Sequence, residues 1–235
     1  MNSSELKGYL TGLILGDGYI DKGITKRAFA IKSIQKDFID KIKEDLESCS
    51  PFTITVKYTP EHESSGCHHK ESWELRIKSH PYFNKKYNHF YDDYKHRHIT
   101  EEAMNWLTPN GLANWYMSDG YVCLVGKESG NIYSRRMDIC TDRYDMNSIK
   151  IMQKVLLEKF NIVTTLNKRG RFYRIRIKSE SYQDFINIVR PYIVPSMLYK
   201  LYLGYPKRPK KFSDEAWAFQ ENLRSAIALT DNAEG

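Results

Sequence analysis

The chain has 235 residues, 41% of them hydrophobic and 13% aromatic, which is enough to build a buried core and excludes an intrinsically disordered chain. Its 36 Lys and Arg against 29 Asp and Glu leave a formal charge of +7 and a sequence pI near 9.0, a balance that favours a polyanionic partner. The longest apolar run, around Leu10 to Leu15, is too short to span a bilayer, and no basic segment leads into it, so a soluble, intracellular protein with no membrane role is expected.

In chain order, the first element is Leu10-Thr11-Gly12-Leu13-Ile14-Leu15-Gly16-Asp17-Gly18. Leu10, Leu13 and Ile14 recur at helical spacing, so a helix is predicted that stops at Asp17, with Gly18 free to take a left-handed cap. Gly12 and Gly16 leave one face nearly bare of side chains, so a second helix can approach to backbone contact. A short strand is expected at Tyr19 to Asp21, another at Arg27 to Ile34, then an amphipathic helix from Lys36 to Glu47 that buries Phe38, Ile39, Ile42 and Leu46. Phe52 to Thr59 and Ser72 to Ser79 alternate strictly: Phe52, Ile54, Val56, Tyr58 and Trp73, Leu75, Ile77 form the apolar faces. Between them, His62 with Cys67-His68-His69 matches no common zinc module and reads as a polar surface loop. Helices are predicted from Pro81 to Tyr94 and, behind a capping pattern at Thr100, from Thr100 to Leu107.

The opening pattern then returns as Leu112-Ala113-Asn114-Trp115-Tyr116-Met117-Ser118-Asp119-Gly120. Strands at Tyr121 to Val125 and Ser134 to Thr141 follow it, then a helix at Asn147 to Phe160 with Ile151, Val155 and Leu156 on one stripe. Glu74-Leu-Arg-Ile-Lys-Ser79 is echoed by Arg174-Ile-Arg-Ile-Lys-Ser179, so the chain is a tandem duplication. Strands grouped beside helices without strict βα alternation indicate α+β with antiparallel sheets. Residues 1–107 and 108–205 form the expected halves, and 206–235 a proline-broken basic linker with a helical tail from Ser213 to Leu229. Cys49, Cys67, Cys123 and Cys140 are scattered without paired spacing, as in a protein whose thiols stay reduced.

Packing the two motif helices together brings Asp17 and Asp119 side by side at two helix C-termini, where the macrodipole adds negative potential. A hard divalent cation relieves that repulsion, and carboxylate oxygens suit Mg²⁺.

The motif pair resembles the LAGLIDADG family of homing endonucleases in its single-chain form. Leu10 to Gly18 and Leu112 to Gly120 match the nine-residue motif, apart from Leu15 and Met117 at its sixth position, and the resemblance covers roughly residues 6 to 205. It implies two αββαββα halves related by pseudo-twofold symmetry, their sheets forming a saddle, in a monomer that cuts both strands of a long, asymmetric double-stranded DNA site and leaves 3′ overhangs. Asp17 and Asp119 are the implied metal ligands, joined by Gly16 and Ser118. Mg²⁺ is the expected ion, with Mn²⁺ able to substitute and Ca²⁺ binding without supporting cleavage.

Lys200, in Pro195-Ser-Met-Leu-Tyr-Lys-Leu201, resembles the family's second-half lysine motif. Its first-half counterpart is either Lys95 or Arg97; Arg97 is preferred because it follows Asp17 by 80 residues, as Lys200 follows Asp119 by 81. The family's water-organising polar position maps to Gln35 and Asp142. On the exposed sheet faces, Lys32, Lys57, Glu74, Arg76 and Lys78 in the first half, and Arg136, Asp138, Asn167, Arg174, Arg176 and Lys178 in the second, are the expected DNA-contacting residues. The strongest rival is an intron maturase of the same fold, which makes the chain's own intron RNA an alternative partner. Organellar, phage and bacterial hosts all fit.

Overall fold

The computed structural model describes residues 1–21, 27–49, 51–64, 66–126 and 132–201, with backbone alone for 124–126 and 132–135. The linker and tail helix expected over 206–235 lie outside the described residues. The first half runs α1 (Ser3–Leu15), β1 (Tyr19–Ile20), β2 (Phe29–Ser33), α2 (Lys36–Glu47), β3 (Ile54–Thr59), β4 (His62–Ser64), β5 (Cys67–His69), β6 (Ser72–Ile77), α3 (Pro81–Lys86) and α4 (Glu101–Asn105). The second runs α5 (Pro109–Asp119), β7 (Gly120–Gly126), β8 (Ile132–Ile139), α6 (Met146–Phe160), β9 (Thr164–Arg169), β10 (Phe172–Ile177) and α7 (Tyr182–Val189).

The duplication is repeated in space. Two four-stranded antiparallel sheets have the orders β1-β2-β6-β3 and β7-β8-β10-β9, so each motif helix feeds the edge strand of its own sheet. The fold is α+β, built as two αββαββα halves.

α1 starts with a capping box. The Asn2 side chain accepts from the Ser4 and Glu5 N–H groups, while the Glu5 carboxylate accepts from the Asn2 N–H at 2.8 Å. α1 and α5 cross where side chains vanish. A Cβ on Gly12 would overlap the Gly111 carbonyl, and one on Gly111 the Gly8 carbonyl, so backbone meets backbone at that point. Gly12 is thus opposed by Gly111, a residue ahead of the second motif, whereas Gly16 faces Ser118. The crossing buries Tyr9, Leu10, Leu13, Leu112, Trp115 and Tyr116.

The motif helices are expected to stop at their aspartates, and α5 does so at Asp119 while α1 does not. α1 stops at Leu15, two residues before the aspartate, and neither Gly18 nor Gly120 is left-handed. These glycines provide room instead: a Cβ on Gly18 would press on the Leu13 carbonyl and the Phe29 ring, one on Gly120 on the Tyr116 ring.

Under each sheet a long helix closes the core. α2 buries Phe38, Ile39, Ile42 and Leu46 as predicted; α6 buries Ile149, Met152, Val155, Leu156 and Phe160, with Ile151 only half-buried. Val56 and Tyr58, expected inside, are exposed, because α2 lies over β2 and β6 and leaves the outer part of edge strand β3 uncovered. The helix predicted to Tyr94 ends at Lys86 and continues as one 3-10 turn, Tyr87–His89. Beyond it the Asp92 side chain accepts from the His96 N–H and its carbonyl from the Lys95 N–H. These local bonds hold a turn, with Lys95 at φ 64°, in place of a helix. The polar segment around His62 is a hairpin, β4 against β5, with His62 and His69 rings stacked 5.0 Å apart. No helix among the described residues is long and apolar enough to cross a membrane.

Candidate active site and nucleic-acid interface

Each motif helix ends in carbonyls without intrahelical partners, and a basic side chain comes from the far end of each half to donate to them. Arg97 donates through Nη1 to the Ile14 and Gly16 carbonyls and through Nη2 to that of Gly18. Lys200 donates through Nζ to the Met117 and Ser118 carbonyls. Positive charge at a helix C-terminus is where the macrodipole favours it. The two cations hold equivalent places in the two halves. Lys95, the alternative to Arg97, is exposed and makes no such contact; it lines a neighbouring cleft.

Asp17 and Asp119 meet at these helix ends. Asp17 is half exposed, whereas the Asp119 side chain retains only 15% of its surface. Burial, reinforced by the charge of Asp17 and opposed by Arg143, Arg97 and Lys200, pushes the Asp119 carboxyl up to about 7. Burial pulls the Lys200 ammonium down while both aspartates hold it up, with a net lowering. For Arg97 burial acts the same way, yet Tyr144, Tyr91 and Asp119 outweigh it and keep its pKa raised.

Sequence reasoning missed two residues here, Arg143 and Tyr144. Arg143 Nη2 stands 3.8 Å from Asp17 Oδ1 and 3.8 Å from Asp119 Oδ2, and it donates to the Gly16 carbonyl at 3.0 Å. The Tyr144 hydroxyl donates to the Leu15 carbonyl at 3.0 Å and accepts from Arg97. Both follow Asp142, a position the sequence did single out, but nothing in the chain says which strand-end side chain turns inward. The polar positions Gln35 and Asp142 differ. Gln35 precedes α2 with no side-chain cap bond, while Asp142 is forked by Arg174 Nε and Nη2, which holds its pKa below the usual carboxylate range.

The carboxylates supply hard oxygen donors, and burial, followed by the charge of Asp17, makes an ionised Asp119 costly despite the surrounding cations. This donor set fits a divalent cation. The Ser118 carbonyl accepts from Lys200 and retains a second lone pair for a metal, whereas the Gly16 carbonyl accepts from both Arg97 and Arg143 and becomes available only if one of them withdraws.

The predicted interface residues share the outer sheet faces. Lys32, Lys57, Glu74 and Arg76 align across β2, β3 and β6, and Arg136, Asp138, Asn167, Arg174 and Arg176 across β8, β9 and β10. Lys78 and Lys178 follow their strands in matching places, both exposed, their backbone N–H groups donating to the Thr53 and Val163 carbonyls. One expectation is corrected. Asp138 has an outward register but only 1% residual exposure, because Arg176, Tyr121 and Asn167 close over it with bonds of 2.7–3.0 Å. It organises the face from beneath. Glu74 likewise spends its carboxylate on Arg76, at 2.8 Å.

Twin antiparallel sheets flanking crossed, acid-tipped helices define a duplicated α+β endonuclease fold. The chain belongs to the LAGLIDADG DNA endonuclease family, whose model matches residues 7–185. The DNA endonuclease I-ChuI of Chlamydomonas applanata is 26% identical over 214 residues, covering 85% of this chain and 95% of that protein. The homing endonuclease I-WcaI, solved bound to its DNA recognition sequence, superposes with a TM-score of 0.69 at 25% identity, covering 85% and 86% of the two chains. The cytochrome b mRNA maturase bI2 of Debaryomyces hansenii is 31% identical over 121 residues, 51% of this chain and 42% of that protein.

Proposed function

We propose that this endonuclease acts as a monomeric homing enzyme that opens both strands of a long, asymmetric duplex by metal-dependent phosphodiester hydrolysis, leaving 3′ overhangs. The observation that carries this reading is the meeting of Asp17 and Asp119 between two sheets whose outer faces bear arginine and lysine. In this reading each aspartate serves one strand.

Asp17 and Asp119, with the Gly16 and Ser118 carbonyls, would hold the divalent ion. When bound, the ion polarises the phosphate, lowers the pKa of an attacking water and stabilises the leaving 3′ oxygen. Arg97 and Lys200 sit one at each motif-helix end, where a cation stabilises charge building on a scissile phosphate. Gln35 orients water in the first half. Asp142 does so through its bond to Arg174, which makes the two sites inequivalent. The β-sheet faces lie in the major groove, with Arg76, Arg136, Arg174 and Arg176 reaching guanine edges and the lysines the phosphates.

Asp17→Asn or Asp119→Asn is expected to reduce double-strand cutting at least a hundredfold while target binding changes less than threefold. Cutting at wild-type rate by either variant would overturn the mechanism. Recovery of cleaved sites from a random duplex library in Mg²⁺ reads activity, target and strand polarity together.

The match to maturase bI2 favours a second reading, in which the same fold binds its own intron RNA. Splicing of that intron supported by a protein that does not cut the intronless locus would select it.

A further inference from the structure

Arg143 occupies an unusual place. Its guanidinium lies at the same distance, 3.8 Å, from a carboxylate oxygen of each aspartate, and its third contact is the Gly16 carbonyl. These are the oxygens that a shared divalent ion would take, at about 2.0–2.6 Å. Such an ion and a guanidinium within 4 Å of both carboxylates claim one volume and repel each other.

The side chain has somewhere to go. It is 49% exposed, and it lines a surface cleft of about 640 Å³ together with Tyr19, Asp21, Lys95, His96 and Arg97. Lys95 and Arg97 make that cleft a poor host for a further cation by itself, and a DNA phosphate placed there makes it a good one.

We infer that Arg143 is a resident counter-ion of the paired carboxylates, which yields to the divalent ion when a backbone phosphate of bound DNA receives it in the adjoining cleft. The inference rests on the metal-dependent nuclease reading above. It makes metal and DNA binding cooperative by a defined exchange: each ligand provides what the other displaces, and linkage makes the coupling reciprocal. Arg97 and Lys200 cannot play this part, because each is half-buried and committed to helix-end carbonyls of its own half. Arg143 alone, among the described residues, forms ion pairs with both aspartates.

The test uses the full chain and Ca²⁺ calorimetry, first without DNA and then with the selected target duplex. Arg143→Gln removes the resident charge and is expected to bind Ca²⁺ about tenfold tighter than wild type without DNA, as losing two partly exposed ion pairs implies. Duplex should then add about tenfold less further affinity than it adds in wild type. Arg143→Lys, which keeps a cation, should resemble wild type. DNA-free Ca²⁺ affinity in Arg143→Gln equal to or weaker than that of wild type would overturn the inference. An Asp17→Asn/Asp119→Asn double variant identifies the site: if it retains the wild-type heat, the metal-site reading falls as well, and the two failures are thereby told apart.

Discussion

Charge at the single-residue level is arranged in forks. Asp138 is the deepest, with four hydrogen bonds from Arg176, Tyr121 and Asn167 that overcome the burial penalty and hold its pKa below the ordinary carboxylate value. Removing the charge leaves Arg176 without its partner, and Asp138→Asn is expected to cost about 2 kcal/mol, less than a fully buried pair because Arg176 is 24% exposed. The sign with pH is definite. A depressed folded pKa contributes stability that is complete above the unfolded value, near pH 4, and is lost as pH falls through the folded value. Wild type should therefore lose stability faster than Asp138→Asn as pH falls below about 4, as denaturant melts will read. The repeat made Asp17 and Asp119 legible, the family resemblance pointed to Lys200, and nearly constant spacing then favoured Arg97 over Lys95. Arg143 has no such echo. Asp138 was placed on the correct face by alternation, but alternation cannot report that three neighbours close over it.

At the level of elements, α1 and α5 set the geometry, and their crossing depends on atoms that are missing. Gly12 meets the Gly111 carbonyl, so Gly12→Ala must spread the helices apart, with an expected loss of about 3 kcal/mol in urea unfolding. A loss below 0.5 kcal/mol would show that the crossing yields freely. The same spreading would move the two aspartates apart, so cleavage should fall further than stability alone accounts for. The sequence revealed half of this contact. Gly12 and Gly16 signalled a close approach, while Gly111 lies before the second motif, where comparing the two copies position by position does not look. The elements themselves were legible where period and length agreed, as in Lys36 to Glu47. They were less so where local side-chain bonds intervened, as at Asp92, or where an edge strand outran its covering helix, as at Val56 and Tyr58.

Over the whole molecule, the two halves share one hydrophobic core through the motif helices, so they are expected to unfold in one transition. Residues 1–107 alone would expose the α1 face that α5 covers; sedimentation and circular dichroism should find that fragment unfolded or self-associated, and a folded monomer would refute the shared core. The halves nevertheless differ in how their outer faces are held. In the second, Arg174 is clasped by Asp142 and Arg176 by Asp138, whereas in the first Lys32, Lys57 and Lys78 have no ion-pair partner among the described residues. This asymmetry bears on how such an enzyme changes its target over generations. In the proposed DNA interface these lysines can be exchanged one at a time, each substitution altering a phosphate contact without stranding an acid. A clasped arginine cannot: replacing Arg174 or Arg176 strands an acid, so a new preference in that half requires two coordinated substitutions. Within the proposed interface the lysines of the first sheet should therefore vary readily, whereas Arg174, Arg176 and, in the first sheet, Arg76 with its Glu74 should change only together with their acids.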